Sequence, residues 1–418
     1  METELDENPD LLEERRGEAK RYKVRFSSRE ALEASMAIET VGASVVVALP
    51  ERKVLSVEVP EGHAPLMGET FSLFMREFDA EIVEDFRYDL EDLDFFGPMS
   101  FVPEDSADPS LDDVIDLIGA RKAWDQSRGG DVVIAIIDTG IAGSRLEFPT
   151  SKRHPRSWAA EGEDPWTDYL GHGSMCAAIA AGTTAEGGVF DGVAPDAKIF
   201  SGRTHFYDTE LAAIYDRLAE LARAGERVIA SNSFGLKTGS PPPPPMNSDF
   251  IPALDDAIAA GVTVCFSAGN YHELVGGTPT GHSPTSIWLH KCRDDVLTVG
   301  AAKLDGSMWS YSSRGPGQHH GQPGMAPKPD LVGITPPNGR IVYGNAVRAL
   351  RDGWGTSGCC PQVAGLAALL ISMRPELAIP AQRNTLFELI RDTSVTLGHH
   401  RSSQGSGRPD CETAVNRV

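Results

Sequence analysis

The chain predicts an α/β domain on a doubly wound parallel sheet, preceded by a small α+β domain of β-α-β-β-α-β order. Three observations carry that prediction. Apolar, β-branched runs such as Val132 to Asp138 and Val262 to Phe266 read as strands buried on both faces, the condition of a parallel sheet. From Leu111 onward such runs alternate with helical patterns, as crossover connections require. Ahead of them lies a separate set of period-two runs and two short helical patterns. At 418 residues and 41% apolar content, the chain can fill one large core and one smaller one.

Taken in order, residues 1–20 are charged and expected to be mobile. Residues 21–95 form the predicted small domain. Tyr22-Lys23-Val24-Arg25-Phe26 alternates with period two, and Ser27 with Glu30 offers a capping box for a helix to about Thr40. Strands Ser44 to Leu49 and Val54 to Val59 are joined by a turn at Pro50-Glu51-Arg52. A second helix over about Pro65 to Phe78 leads to a last strand, Glu81 to Tyr88. The order is that of ferredoxin-like domains, which serve many unrelated purposes. Residues 96–110, with Pro98, Pro103 and Pro109 among acidic residues, read as an exposed linker, and 111–418 as the large domain. Pro241 to Pro245 must be extended and reads as a stiff surface loop.

Four short words carry chemistry. Val132 to Asp138, followed by Thr139-Gly140, ends a buried strand in a carboxylate, where open α/β sheets collect functional groups. Gly171-His172-Gly173-Ser174 sets an imidazole at the start of a small-residue helix that Gly182 closes. Ser267-Ala268-Gly269-Asn270 follows the strand Val262 to Phe266. Gly355-Thr356-Ser357 precedes Pro361 and an apolar helix running to about Met373, so a hydroxyl stands near unpaired helix N–H groups and the positive end of their dipole. Singly, an Asp after a strand, a His between glycines or an Asn after Gly is most simply a turn or loop residue. Together they offer a hydroxyl, an imidazole, a carboxylate and an amide, groups that nucleophilic catalysis can use.

These words resemble those of the subtilisin-like serine proteases, and the order Asp138, His172, Ser357 is that family's. The resemblance implies a subtilisin-type fold for residues 111–418 and catalysis by Asp138, His172 and Ser357, with Asn270 at the oxyanion. Ser231-Asn232-Ser233-Phe234-Gly235 resembles the family's substrate-binding strand, which pairs with an extended peptide through its main chain. Ser233, Phe234 and Gly235 with Ser267, Ala268 and Gly269 are the implied substrate-binding residues, and the residue preferred there is left open. Ile118 to Trp124 resembles the usual lead-in helix and Gly192-Val193-Ala194-Pro195 the loop before a central strand. The small domain stands where the family carries a propeptide that assists folding and inhibits, so an intramolecular inhibitor is implied, with processing expected in the linker.

Some positions depart from the pattern. Met175 and Gln362 stand where the family has two further histidines, neither of them in the triad. After Lys328-Pro329-Asp330-Leu331 the usual proline-glycine is replaced by Gly333-Ile334, which predicts a different loop. Cys176, Cys359 and Cys360 flank the site. They read as small buried residues, with thiol-dependent inhibition as the sharper reading. No Cys-x-x-Cys pair is present, so no metal ligand set is expected. No cofactor is required, and no loop is distinct enough to assign the structural calcium common in the family.

Net charge is −22, with 24 acidic against 11 basic residues in the first hundred, which disfavours nucleic acid and anionic membranes as partners. Protein or peptide substrates are the expected partners. The first residues lack a basic segment followed by an apolar one, although the family is usually secreted. A cytoplasmic location or export by another route is therefore expected. Two alternatives remain beside a general endopeptidase. One is a dedicated precursor-processing protease or transpeptidase of the cytosol sharing the acyl-enzyme step; the other is a peptide-binding pseudoprotease, which the presence of all four chemical residues disfavours.

Overall fold

A computed structural model describes residues 19–35, 43–60, 73–90, 109–236, 238, 242, 245–318 and 325–418. The expected mobile N-terminus up to residue 18, most of the linker and most of the Pro241 to Pro245 loop lie outside the described residues.

The N-terminal domain contains β1 (Ala19–Phe26), α1 (Arg29–Ser35), β2 (Ser44–Leu49), β3 (Val54–Pro60), α2 (residues 73–77) and β4 (Ala80–Glu84). The rest of each expected helix, residues 36–40 and 65–72, lies outside the described residues. Its antiparallel sheet has the order β2-β3-β1-β4. Because side chains alternate along a strand, β1 turns Val24 and Phe26 inward onto Leu32, Leu55, Val57 and Phe74. The opposite face carries Arg21, Lys23 and Arg25, and it is covered too. There Val47, Leu49 and Val54 join an apolar cluster of the large domain with Leu211, Ala212 and Leu254.

The last strand of this domain departs from expectation. It stops at Glu84 rather than Tyr88, and the chain crosses to the large domain, where β5 (Asp89–Leu90) forms. The physical cause is the chemistry of the crossing residues. The Asp85 carboxylate accepts hydrogen bonds from Ser56 Oγ at 2.6 Å and Thr209 Oγ1 at 2.6 Å, and Tyr88 is 0% exposed among large-domain aromatics.

The large domain opens with α3 (Leu111–Leu117) and continues through β6 (Val133–Asp138), α4 (His172–Ala181), β7 (Lys198–Arg203), α5 (Asp208–Arg223), β8 (Val228–Asn232), β9 (Phe234–Gly235), α6 (Phe250–Ala260), β10 (Thr263–Ser267), β11 (Leu297–Ala302), β12 (Leu331–Ile334) and α7 (Cys360–Met373). Six strands form a parallel sheet in the order β12-β11-β10-β8-β6-β7. Residues of β6 alternate between the two layers. Ile134 and Ile136 pack with α4 and α7, while Val133, Ala135 and Ile137 pack with α5 and α6. The chain goes from β6 to β7 on one side and returns to β8 on the other, so a crevice opens at the carboxyl ends of β6 and β8.

The expected lead-in helix over Ile118 to Trp124 is broken. Gly119 adopts φ 71°, which ends one helix and admits only a short turn, Ala120–Ala123. Beyond Asp330, Leu331–Ile334 continues as a strand, and Gly333 is needed because a Cβ there would lie 2.6 Å from the Cβ of Cys359.

Candidate active site

Asp138 is the last residue of β6 and is 1% exposed. Its Oδ1 accepts the N–H of Thr139 at 2.8 Å and lies 2.7 Å from His172 Nδ1. A carboxylate in that position holds the imidazole in the tautomer that leaves Nε2 as the base, and it stabilises the imidazolium once formed. His172, fully buried, begins α4. The helix can approach Asp138 so closely because Gly173 has no side chain. A Cβ there would sit 2.1 Å from the Gly140 carbonyl oxygen.

A residue that sequence reading passed over holds this pair in register. Asp168 Oδ1 accepts from Thr139 Oγ1 at 2.7 Å, Leu170 N at 3.1 Å and Gly171 N at 2.7 Å, and its Oδ2 from Ser174 N at 2.8 Å and Ser174 Oγ at 2.6 Å. It thereby ties the turn after Asp138 to the first turn of α4. Burial raises its carboxyl above the usual range although these donors pull the other way. An Asp four residues before a His carries no distinctive signal, so nothing local marked it.

Ser357 lies two residues ahead of the Cys359 N-cap of α7, and Pro361 stands in the helix's first turn, where its missing N–H costs nothing. Its Oγ is buried and has no hydrogen-bond partner among the described residues. Asn270 is attached to the same turn. Its Oδ1 accepts from Thr356 N at 3.0 Å and Thr356 Oγ1 at 3.0 Å, which leaves Nδ2 as the end of the amide turned from Thr356. Gly269, at φ 103°, donates to Thr356 Oγ1 at 3.2 Å. Thr356 is the second residue whose role the sequence concealed, because it read only as part of the serine word.

Cys176 stands among these groups, with Sγ 3.9 Å from His172 Nδ1, 3.8 Å from Ser233 Oγ and 3.6 Å from the Ser357 carbonyl oxygen. Burial pushes its thiol up to about 11 and that of Cys360 to about 12, so both stay protonated at neutral pH. All six cysteines are buried and unbridged. The ligand atoms of Asp138, His172 and Cys176 lie within 4.8 Å of one another, a spacing a metal ion accepts, but Nδ1 and Oδ1 already engage each other. Gln362, standing where a histidine was expected, joins α7 to the end of β12. Its Nε2 donates to Ile334 O at 2.6 Å and Gly358 O at 2.8 Å, and its Oε1 accepts from Ile334 N at 3.0 Å.

The expected substrate strand is already paired. Leu90 stands opposite Phe234 and Asp89 opposite Gly235 in antiparallel register, and on the other side Tyr88 N donates to Phe206 O at 2.9 Å. Residues 87–90 thus lie as a strand between two large-domain segments. Tyr88 enters an aromatic box, with ring centroids 5.7 Å from Phe234, 5.4 Å from Phe250 and 5.8 Å from His290. Phe234 packs inward in this box and is fully buried. Ser233 lies beside Cys176, while Ser267, Ala268 and Gly269 run buried from the end of β10 to Asn270.

Known proteins resemble the chain over the same region. Subtilisin-like protease SBT6.1 of Arabidopsis thaliana is 28% identical over 309 residues, 71% of this chain and 27% of that protein. The chain thus spans about a quarter of that relative's length. Subtilisin DY of Bacillus licheniformis is 29% identical over 276 residues, covering 65% of this chain and 88% of that one. Among solved structures, the epidermin leader peptide processing serine protease of Staphylococcus aureus superposes with TM-score 0.60 at 16% identity, over 96% of this chain and 98% of the other, a likeness of fold. A profile of the subtilase family matches residues 129–407, well over half of the chain and inclusive of Asp138, His172, Asn270 and Ser357. The chain belongs to the subtilase family, that of the subtilisin-like serine proteases.

Proposed function

We propose that the chain is a serine endopeptidase that hydrolyses peptide bonds through Asp138, His172 and Ser357. The observation that carries this reading is the 2.7 Å contact of Asp138 with His172, beside which Cys176 Sγ reaches both His172 Nδ1 and the Ser357 carbonyl oxygen, in a chain of this family. Ser357 Oγ attacks the peptide carbonyl carbon while His172 Nε2 takes its proton, and the carbonyl oxygen becomes an oxyanion. Asn270 Nδ2 and the Ser357 N–H meet that charge; loss of one such donor costs about 3 to 4 kcal/mol of transition-state stabilisation. The imidazolium then gives its proton to the leaving amine, the C–N bond breaks, and an acyl-enzyme remains. Water, deprotonated by His172, attacks the ester, and collapse of the second intermediate returns the proton to Ser357. No metal ion takes part in these steps.

The N-terminal domain acts as an intramolecular inhibitor. Residues 87–90 occupy the pairing edges that a substrate would use, and Tyr88 fills the box beside them. The test is intact mass over time for the purified chain and for Ser357→Ala, beside a fluorophosphonate probe. Serine labelling and loss of the N-terminal block in the wild type alone is the expected result. A wild type that neither labels nor cleaves any protein, even after the block is removed by another protease, would leave a peptide-binding module instead.

A further inference from the structure

The segment between β7 and α5 is one of the two edges between which residues 87–90 lie. Thr204 N donates to Asp138 O at 2.9 Å, Phe206 O accepts from Tyr88 N at 2.9 Å, and Asp208 N donates to Phe86 O at 2.8 Å. Between these contacts Phe206 adopts φ 66°, a left-handed conformation that a bulky residue takes only where its surroundings impose it. The imposing group is Glu210, fully buried in the first turn of α5. Its Oε2 accepts from Thr204 Oγ1 at 2.8 Å and from His205 N at 2.7 Å, and Thr204 Oγ1 in turn accepts from Phe206 N at 2.8 Å. One carboxylate thereby holds Thr204, His205 and, through Thr204, Phe206. Its other oxygen, Oε1, pairs with Arg21 of the N-terminal domain. Burial by itself would raise this carboxyl, but the bond from His205 and the Arg21 guanidinium outweigh it and hold it down at about 2. The two oxygens divide the work: Oε1 meets the N-terminal domain, and Oε2 shapes the edge with contacts made wholly within the large domain.

We propose that Glu210 is a positioning residue for substrate binding, which keeps the backbone of Thr204 to Phe206 in the shape that pairs with an extended peptide. This rests on the endopeptidase reading above, in which residues 87–90 stand where substrate main chain would lie, and it names the residue that builds one of the two edges. The edge is then preformed when the N-terminal domain leaves, because the contacts of Oε2 do not depend on Arg21. A main-chain edge reads no side chain. Its loss should therefore fall on long substrates of any sequence and spare a substrate with no main chain to pair.

The test uses the full chain with denatured casein, long enough to pair with the edge, and p-nitrophenyl acetate, which has no main chain to pair. Rates are expressed per fluorophosphonate-labelled serine, so that easier release of the N-terminal block does not enter. Glu210→Ala should lower kcat/KM on casein roughly 10-fold, through KM, and leave the ester rate near that of wild type. Glu210→Gln keeps an acceptor oxygen for Thr204 and His205 and should recover most of the loss. Thr204→Val removes the hydroxyl at nearly constant volume and should repeat the loss on casein alone, so it decides if Glu210→Ala does not fold. Equal losses on the two substrates, no loss on casein, or Glu210→Gln as impaired as Glu210→Ala would overturn the proposal. A wild type that labels and cuts casein, with variants that treat both substrates alike, loses only the role of Glu210. One that neither labels nor cuts loses the endopeptidase reading with it.

Discussion

In the proposed mechanism the imidazole of His172 takes a proton and needs negative charge on its far side, which Asp138 Oδ1 at 2.7 Å provides. Asp138→Asn keeps the size of the side chain but favours the wrong tautomer of His172. The expected result is a fall in kcat of about 10⁴-fold with KM little changed, read by steady-state kinetics on any cleaved peptide. In the proposed mechanism Thr356 acts one step further from the chemistry, as a positioning residue. Its hydroxyl donates to Asn270 Oδ1 and accepts from Gly269 N. Thr356→Val removes both contacts at nearly constant volume. It should lower kcat about tenfold while KM holds, since an oxyanion donor is felt in the transition state and not in substrate binding. A merely structural role would lower the melting temperature and leave kcat of the folded fraction intact.

At the scale of elements, the crossing from β4 to β5 decides how the N-terminal domain sits. Tyr88→Ala empties the aromatic box, and loss of a buried aromatic costs about 3 to 5 kcal/mol. In the Ser357→Ala background, which removes self-cleavage, the variant should show a lower melting temperature and faster proteolysis of the N-terminal block. Asp85 adds a pH dependence. Desolvation raises its carboxyl from 3.8 to about 6, against the hydrogen bonds from Ser56 and Thr209, so the folded chain holds this proton more tightly than the unfolded one. The stabilisation linked to that proton is whole below the unfolded value and is lost as pH rises through about 6. Melting temperatures of Ser357→Ala should therefore fall between about pH 4 and pH 6 relative to Asp85→Asn in the same background, and the two should run parallel above about pH 7.

For the whole molecule, net charge says little about how the two domains meet. The first hundred residues are strongly acidic, yet the sheet face turned to the large domain carries the bases. Lys23 Nζ lies 2.9 Å from Asp208 and 3.2 Å from Asp249, Arg25 2.7 Å from Asp249, and Arg52 Nε 2.8 Å from Asp216, while Arg21 pairs with Glu210. Lys23 is 1% exposed and Asp208 0%, so removing the lysine leaves the buried Asp208 carboxylate without its cation, while Asp249 keeps Arg25. Lys23→Met should cost about 3 to 5 kcal/mol in chemical unfolding of the Ser357→Ala chain. Arg29, whose partners Glu33 and Glu51 are exposed, is the contrasting case. Arg29→Met should shift stability by less than about 1 kcal/mol.

The words around Asp138, His172 and Ser357 were legible as the family's because each is local. A β-branched run ending in Asp138, glycines around His172 and a Gly-Thr-Ser before an apolar helix fix backbone geometry within a few residues, and their order along the chain supplied the rest. The alternation in β1 likewise announced a sheet whose two faces differ. Tertiary structure alone decided which surface received the face bearing Arg21, Lys23 and Arg25. It also decided that the last strand would stop at Glu84, that Asp168 would tie the turn after Asp138 to the first turn of α4, and that Thr356 would hold the amide of Asn270. Those outcomes depend on burial and on partners outside the local segment, from Thr139 at Asp168 to Phe234 opposite Leu90. Dielectric environment and hydrogen-bond partners belong to the folded chain, whereas strand, turn and helix signals are written in neighbouring residues.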